Sequence, residues 1–425
     1  MEFKLTGKEK SGSPTLALVS LGCAKNAADL EVLAGNLVKK GWTLSPDPDR
    51  ADTVIVNTCS FIASAREEAE REIRRALALK AAGNFRRVAV TGCYPARYPD
   101  AKSKFPGVDS WDGVPDKWIE PKMPALRFTG KAFAYLKIAE GCSHRCAYCA
   151  IPLIRGRYRS RPMASILREA RALVETGCRE INIVAQDPML YGVDLGLGRG
   201  ALVKLLRKID AIKGDFWTRV LYSYPNEIGG DFLEWLATSP HAVKYVDVPL
   251  QHTDPSVLWN MNRRAAIKAT LVAADRIRAA VPGVTLRTTV MTGFPGETER
   301  RFETMRADLR RMQFDRLGAF AFSPEKGTAA WKMRRPPRAV AEERERIIMD
   351  DAAKLWRIKS SQLCGNEFDA LVVAPGVARL QSQAPDVDGV TYLLDSPKAR
   401  RAAPGDFVKV RIAAVKGFDL EADVV

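Results

Sequence analysis

No apolar run in this 425-residue sequence is long enough to cross a bilayer. Nor does any charged start followed by an apolar stretch and a small-residue cleavage site mark a secretory leader. No membrane partner is expected, and the chain reads as soluble and cytoplasmic. Low-complexity tracts and repeats at solenoid spacing are missing too, which excludes repeat arrays. Cysteine is sparse. Eight in a chain this long, in a reducing cytosol, do not make a disulfide framework, so metal binding or catalysis is the first explanation for them.

What is present is an apolar fraction of 46%, ample for packed cores, in a chain longer than one core usually serves, so two or three domains are expected. The net charge of +16 is compatible with a plain solvated surface and with a polyanionic neighbour such as RNA. It is unevenly spread. Ser361 to Val425 holds seven Lys/Arg against nine Asp/Glu, leaving a mildly acidic tail on a basic protein.

The first fifteen or so residues are polar and read as a loose arm. Leu16–Leu21, Thr53–Val56 and Arg87–Val90 then read as strands, alternating with helical stretches at Ala27–Lys40 and Phe61–Ala81, which implies a parallel sheet with helices on its faces. Trp118 to Gly130, with two prolines and a glycine among scattered charges, reads as a linker. Six more strands are expected at Phe133–Ile138, Glu180–Ala185, Arg219–Ser223, Val243–Val248, Thr285–Met291 and Arg316–Phe322. Amphipathic stretches lie at Ala164–Glu175, Leu202–Ile212, Ala266–Ala280 and Glu299–Met312. That is a β/α barrel or partial barrel of about six units. A charged helix, Val340–Lys359, precedes short alternating strands at Phe368–Val373, Val390–Leu394, Phe407–Val415 and Phe418–Val425, the pattern of a small β-barrel.

Cys142, Cys146 and Cys149 stand in one tight loop after the first barrel strand, in the run Gly141-Cys142-Ser143-His144-Arg145-Cys146-Ala147-Tyr148-Cys149. Three thiolates from one loop suit an iron-sulfur cluster. A closed zinc site needs a fourth ligand, and His144, wedged between two of the cysteines, would have to fold back onto the same ion. Cys23, Cys59 and Cys93 each follow the carboxyl end of an expected parallel strand, where open α/β sheets assemble their sites. Singly each could be a small buried hydrophobe. Together, in one topological position, they point to a second cluster. Cys178 and Cys364 have no clustered partner and read as structural.

The C-x3-C-x2-C loop resembles that of the radical S-adenosylmethionine superfamily. The resemblance implies a 4Fe-4S cluster on Cys142, Cys146 and Cys149 whose remaining iron chelates the methionine moiety, and a partial (β/α)6 barrel. Gly22-Cys23-Ala24-Lys25-Asn26, Asn57-Thr58-Cys59-Ser60-Phe61 and Thr91-Gly92-Cys93-Tyr94 resemble the amino-terminal domain of methylthiotransferases, which implies an auxiliary 4Fe-4S cluster on Cys23, Cys59 and Cys93. The family pattern has proline at Ala24 and glycine at Ser60; neither departure removes a ligand. Tyr135 to Glu140, Arg155 to Pro162, Asp247 to His252 and Gly293 to Thr298 look like the ribosomal-protein branch, and the tail, with Gly417-Phe418-Asp419-Leu420, looks like a TRAM domain. The transfer-RNA branch differs at Tyr158 or its neighbours, where it has an acidic residue, and at Gln251-His252, where it reads Gln-Ser-Gly-Ser.

The expectation is thus an α/β chain of three parts: a methylthiotransferase amino-terminal domain over 14–120, a radical S-adenosylmethionine core over 128–360 and a TRAM domain over 361–425. The resemblance implies two 4Fe-4S clusters, S-adenosylmethionine as radical source and methyl donor, and insertion of a methylthio group at the β-carbon of an aspartate in small ribosomal subunit protein twelve, free or in the ribosome. A reductant protein is a further expected partner. Transfer RNA is not, although a transfer-RNA adenosine methylthiotransferase is the alternative reading. Gln186, Asp187, Gln251, Gly293, Gly296 and Glu297 are the cofactor-binding candidates, with an N-cap the competing explanation of Asp187 and a Gly-Pro turn that of Gly293 to Glu297. His252 reads as structural or catalytic. No catalytic residue is assigned beyond the cluster ligands. The acidic tail suits a basic ribosomal protein, with Asp386 and Asp388 as docking contacts.

Overall fold

The computed structural model describes residues 13–45, 47, 49–114, 127, 130 and 132–425. Most of the expected arm and linker lies outside them. The chain divides into two compact units, one drawn from Met1–Phe128, Glu140–Arg161 and Ser323–Trp331, the other from Thr129–Ala139, Pro162–Phe322 and Lys332–Val425.

In the first unit the β-branched runs form a parallel sheet in the order Thr43–Leu44, Thr15–Ser20, Ala51–Thr58, Phe85–Gly92, Ser110–Trp111. Strand periodicity sorts the side chains. Val54, Val56, Val88 and Val90 pack one face with Ala69 and Ile73 of the helix Ala63–Ala81. Leu16, Ile55 and Ala89 pack the other with Leu30, Leu33 and Leu37 of the helix Ala24–Lys39. Each fully buried Val, Leu or Ile contributes about 1.5–3 kcal/mol. Both helices therefore start where the central strands end, and all three cysteines of the dispersed set emerge on that edge.

The second unit holds six parallel strands in sequence order. Phe133–Lys137, Glu180–Val184 and Trp217–Val220 form one run, Tyr245–Asp247, Thr285–Thr292 and Arg316–Ala321 the other. A parallel bridge from Thr218 to Ala242 joins them. This is the partial β/α barrel expected. The third strand stops at Val220, short of the expected Ser223, because Tyr222 turns left-handed at φ 72° ahead of Pro225. The helices Gly230–Thr238 and Pro255–Asn260 were not foreseen.

The long helix Arg338–Ser361 leads into a closed barrel of Glu367–Ala374, Val377–Leu380, Thr391–Leu393, Asp419–Val424 and Phe407–Lys416. Trp356 of that helix plugs the barrel core beside Val372, Leu380, Ile412 and Leu420, and its indole donates to the Gly417 carbonyl at 2.8 Å. Fully buried Glu180 accepts from Arg219 at 2.7 Å and pairs with Arg379 of the barrel. Burial works against its charge, but the two guanidiniums prevail and hold its pKa below the usual carboxylate value. One expectation is corrected here. Asp388 is not a surface docking residue: its side chain is 2% exposed, accepting from the Tyr245 hydroxyl at 2.7 Å and the Ala384 amide at 2.9 Å. Asp386 is exposed at φ 65° and accepts from the Tyr135 hydroxyl.

Candidate cluster and cofactor sites

Cys23 is the N-cap of the helix Ala24–Lys39, Cys59 follows the strand Ala51–Thr58, and Cys93 opens the short helix Cys93–Arg97. Side-chain bonds lace the three loops together. Asn26 Nδ2 donates to the carbonyls of Leu21 at 2.7 Å and Thr58 at 3.2 Å, and Asn57 Nδ2 donates to the Asn26 carbonyl at 2.8 Å. Thr58 Oγ1 donates to the Thr91 carbonyl at 2.7 Å. Ser60, where the family pattern has glycine, donates to the Cys93 carbonyl at 2.8 Å. Gly22, at φ 93°, is required by closeness: a Cβ there would sit 2.9 Å from Cys59 Cβ and 3.3 Å from its sulfur.

The thiols differ in charge preference. Cys23 reaches the surface yet is hemmed in by protein, which works against its thiolate; Lys25, Arg155 and the amides of Asn26 and Lys25 outweigh that and lower its pKa. Burial raises the pKa of Cys59, and pushes Cys93 up to about 12 against the pull of Arg155.

The other set lies in the same compact unit, on the loop ahead of the helix Ile151–Arg155. Gly141, at φ 70°, lets this loop fold against the segment behind it; a Cβ would fall 2.2 Å from the Arg157 carbonyl. The Cys142 amide donates to the Gly156 carbonyl at 3.1 Å, and Cys149 closes a turn onto the Cys146 carbonyl at 3.0 Å. Cys93 packs with Ala150, which follows Cys149, and with Ile154, so one cysteine of the dispersed set is buried against the segment just after the other set.

In the second unit, the Gly293 amide donates to Glu297 Oε1 at 2.8 Å, and Arg344 donates to the same oxygen at 2.6 Å. His252 Nε2 lies 3.3 Å from Glu297 Oε2, while its Nδ1 accepts from the Asp254 amide at 2.9 Å. The Glu297 carboxylate thus closes the glycine turn from inside. A Cβ on Gly296 would meet Asn260 at 2.4 Å. Gln251 is buried at φ 71°, with its Oε1 unbonded, a strained setting of the kind found at functional sites. Gln186 and Asp187 follow a different strand, Glu180–Val184, and Asp187 caps the next turn by accepting from the Met189 amide at 3.1 Å.

Two curated relatives carry the name ribosomal protein uS12 methylthiotransferase RimO. That of Elusimicrobium minutum is 38% identical, aligned over 96% of this chain and 99% of its own; that of Moorella thermoacetica is 39% identical over 93% and 96%. The chain belongs to the RimO family of uS12 methylthiotransferases.

Family models agree with the RimO assignment along the chain: the Uncharacterized protein family UPF0004 at 15–113, the Radical SAM superfamily at 136–309 and the TRAM domain at 366–425. The fold also resembles the radical S-adenosylmethionine methyltransferase TsrM of Kitasatospora setae, at TM-score 0.54 and 16% identity over 75% of this chain and 77% of that one. RimO membership implies two 4Fe-4S clusters and S-adenosylmethionine, and free cysteine thiols are the donor type such clusters take.

Several residues important to these sites went unread in the sequence. Arg155 and Glu140 were visible only as parts of a motif, and their roles appear once Arg155 is seen buried beside Cys93 and paired with Glu140. Arg344, which completes the Glu297 group, was indistinguishable from the other charges of its helix.

Proposed function

We propose that this chain is a radical S-adenosylmethionine methylthiotransferase that places a methylthio group on the β-carbon of an aspartate in ribosomal protein uS12. The observation that carries the reading is the pairing of two three-cysteine sets in one compact unit, with the dispersed set at the sheet's carboxyl edge. When bound, the cluster and S-adenosylmethionine supply a carbon radical able to break an unactivated C–H bond, and the second cluster supplies a place for sulfur.

The chain's own contribution is placement. Cys142, Cys146 and Cys149 present three thiolates from one loop pinned by Gly141 and Gly156. Cys23, Cys59 and Cys93 present three more from loops that Asn26, Thr58 and Ser60 tie together. Cys93 of the second set packs on Ala150 and Ile154, just after the loop of the first. Gln186, Asp187, Gln251, Gly293, Gly296 and Glu297 are proposed to line the cofactor site, Glu297 acting through the turn it closes rather than as a free ligand. A reductant protein is the proposed electron source and the cytoplasm the proposed location.

The test is anaerobic reconstitution with iron and sulfide, followed by reduction in the presence of S-adenosylmethionine. Two clusters' worth of iron and release of 5′-deoxyadenosine are expected. Full loading with no 5′-deoxyadenosine overturns the radical reading.

A further inference from the structure

Arg155 carries a charge sealed inside the first unit, its side chain 1% exposed. Such a charge persists only where partners satisfy it. Nη1 donates to Asp29 Oδ2 at 2.8 Å and to both oxygens of Glu140 at 3.0 Å. Nη2 is left for a different task. It lies 3.3 Å from Asn26 Oδ1 and 3.4 Å from Cys93 Sγ.

The neighbours of this guanidinium are telling. Asn26 and Asp29 stand on the first turns of the helix that Cys23 caps, Glu140 and Arg155 bracket the loop of Cys142, Cys146 and Cys149, and Cys93 belongs to the dispersed set. The two carboxylates fix the guanidinium plane, and with it the direction of the N–H aimed at sulfur. A donor held this way strengthens as negative charge on the sulfur grows. Hydrogen bonds to cluster sulfurs are among the recognised determinants of cluster potential.

We propose that Arg155 is a positioning residue for the auxiliary cluster: its N–H to Cys93 Sγ orients that thiolate as a ligand and raises the cluster's reduction potential. The inference rests on Cys23, Cys59 and Cys93 holding that cluster. A guanidinium acting on the cluster by its charge alone would leave the potential unmoved in Arg155→Lys, which keeps that charge.

The measurement is a redox titration followed by electron paramagnetic resonance, on the full chain carrying C142A, C146A and C149A so that only the auxiliary cluster reports. Arg155→Met alone strands two buried carboxylates, so the comparison is D29N/E140Q against D29N/E140Q/R155M, which removes the charges together. Loss of Arg155 is expected to make reduction at least about tenfold less favourable, a shift of about 59 mV to more negative potential for one electron. Arg155→Lys, which keeps the charge without the planar fork, is expected in between, and it carries the measurement if the triple change does not fold. Loss of auxiliary iron from a variant with unchanged circular dichroism also supports the positioning role. An unchanged midpoint in a fully loaded variant overturns it. A background protein that binds no iron at all overturns the cluster reading and this inference with it.

Discussion

The hydroxyl of Tyr245, on a central strand of the β/α unit, donates to Asp388 Oδ2 of the carboxy-terminal barrel at 2.7 Å. Arg287 and Arg316 lie 3.8 and 3.9 Å from the other oxygen. A carboxylate so enclosed is part of the seat of the barrel. Asp388→Lys is therefore expected to destabilise the protein by about 3–5 kcal/mol, the usual cost of breaking a buried charge pair from one side. Asp386→Lys, at an exposed position, is expected to cost about 1 kcal/mol for its lost hydrogen bond. Denaturant midpoints of the two variants measure the difference; equal midpoints contradict the burial argument.

Glu180 gives the seat a pH dependence. Its carboxyl is held below its ordinary value of 4.5, so the folded state binds its proton less readily than the unfolded chain. The stability it contributes is fully present above about pH 4.5 and is lost as pH falls through the depressed folded value. Glu180→Gln lacks this contribution. The stability gap between wild type and E180Q should narrow steadily below pH 4.5. A gap that widens on acidification refutes the assignment.

Two glycines separate backbone strain from crowding. Gly376 and Gly293 have nearly the same φ, 72° and 71°, yet a Cβ on Gly376 meets nothing within 4 Å, whereas on Gly293 it falls 2.2 Å from Ala341 Cβ. Gly376→Ala should cost about 1–2 kcal/mol for the left-handed backbone alone. Gly293→Ala should cost about 1–3 kcal/mol more, because the long helix must move or the turn must open. Thermal unfolding compares them directly.

The two cysteine sets are expected to be separable in iron and in chemistry. Replacing Cys23, Cys59 and Cys93 with alanine should leave about half the iron and preserve formation of 5′-deoxyadenosine, and replacing Cys142, Cys146 and Cys149 should abolish it. Loss of cleavage in a folded C23A/C59A/C93A protein would show that the sets do not divide the work.

Much of this architecture was legible beforehand because its elements are long and periodic. Val54 to Val56 and Val88 to Val90 announce strands by β-branching, and the three cysteines at strand ends announce a site by topology. The two-residue strands Thr43–Leu44 and Ser110–Trp111 carry too little pattern to read. Val377–Leu380 was missed because only the two turn residues Pro375 and Gly376 separate it from its hairpin partner, which ends at Ala374. Arg155 was opaque for another reason. Its partners Glu140, Cys93 and Asp29 lie 15, 62 and 126 residues away, and no local pattern reveals that they share a buried pocket of charge. Asp388 misled because net charge says nothing of burial.

The substrate assignment is tested most directly by mass spectrometry of purified uS12 and of transfer RNA nucleosides after incubation with the reconstituted, reduced enzyme and S-adenosylmethionine. A methylthio group is expected to replace one hydrogen on an aspartate of uS12 with wild-type enzyme, and C23A/C59A/C93A is expected to leave uS12 unchanged. Methylthiolated adenosine in transfer RNA together with unmodified uS12 would contradict it.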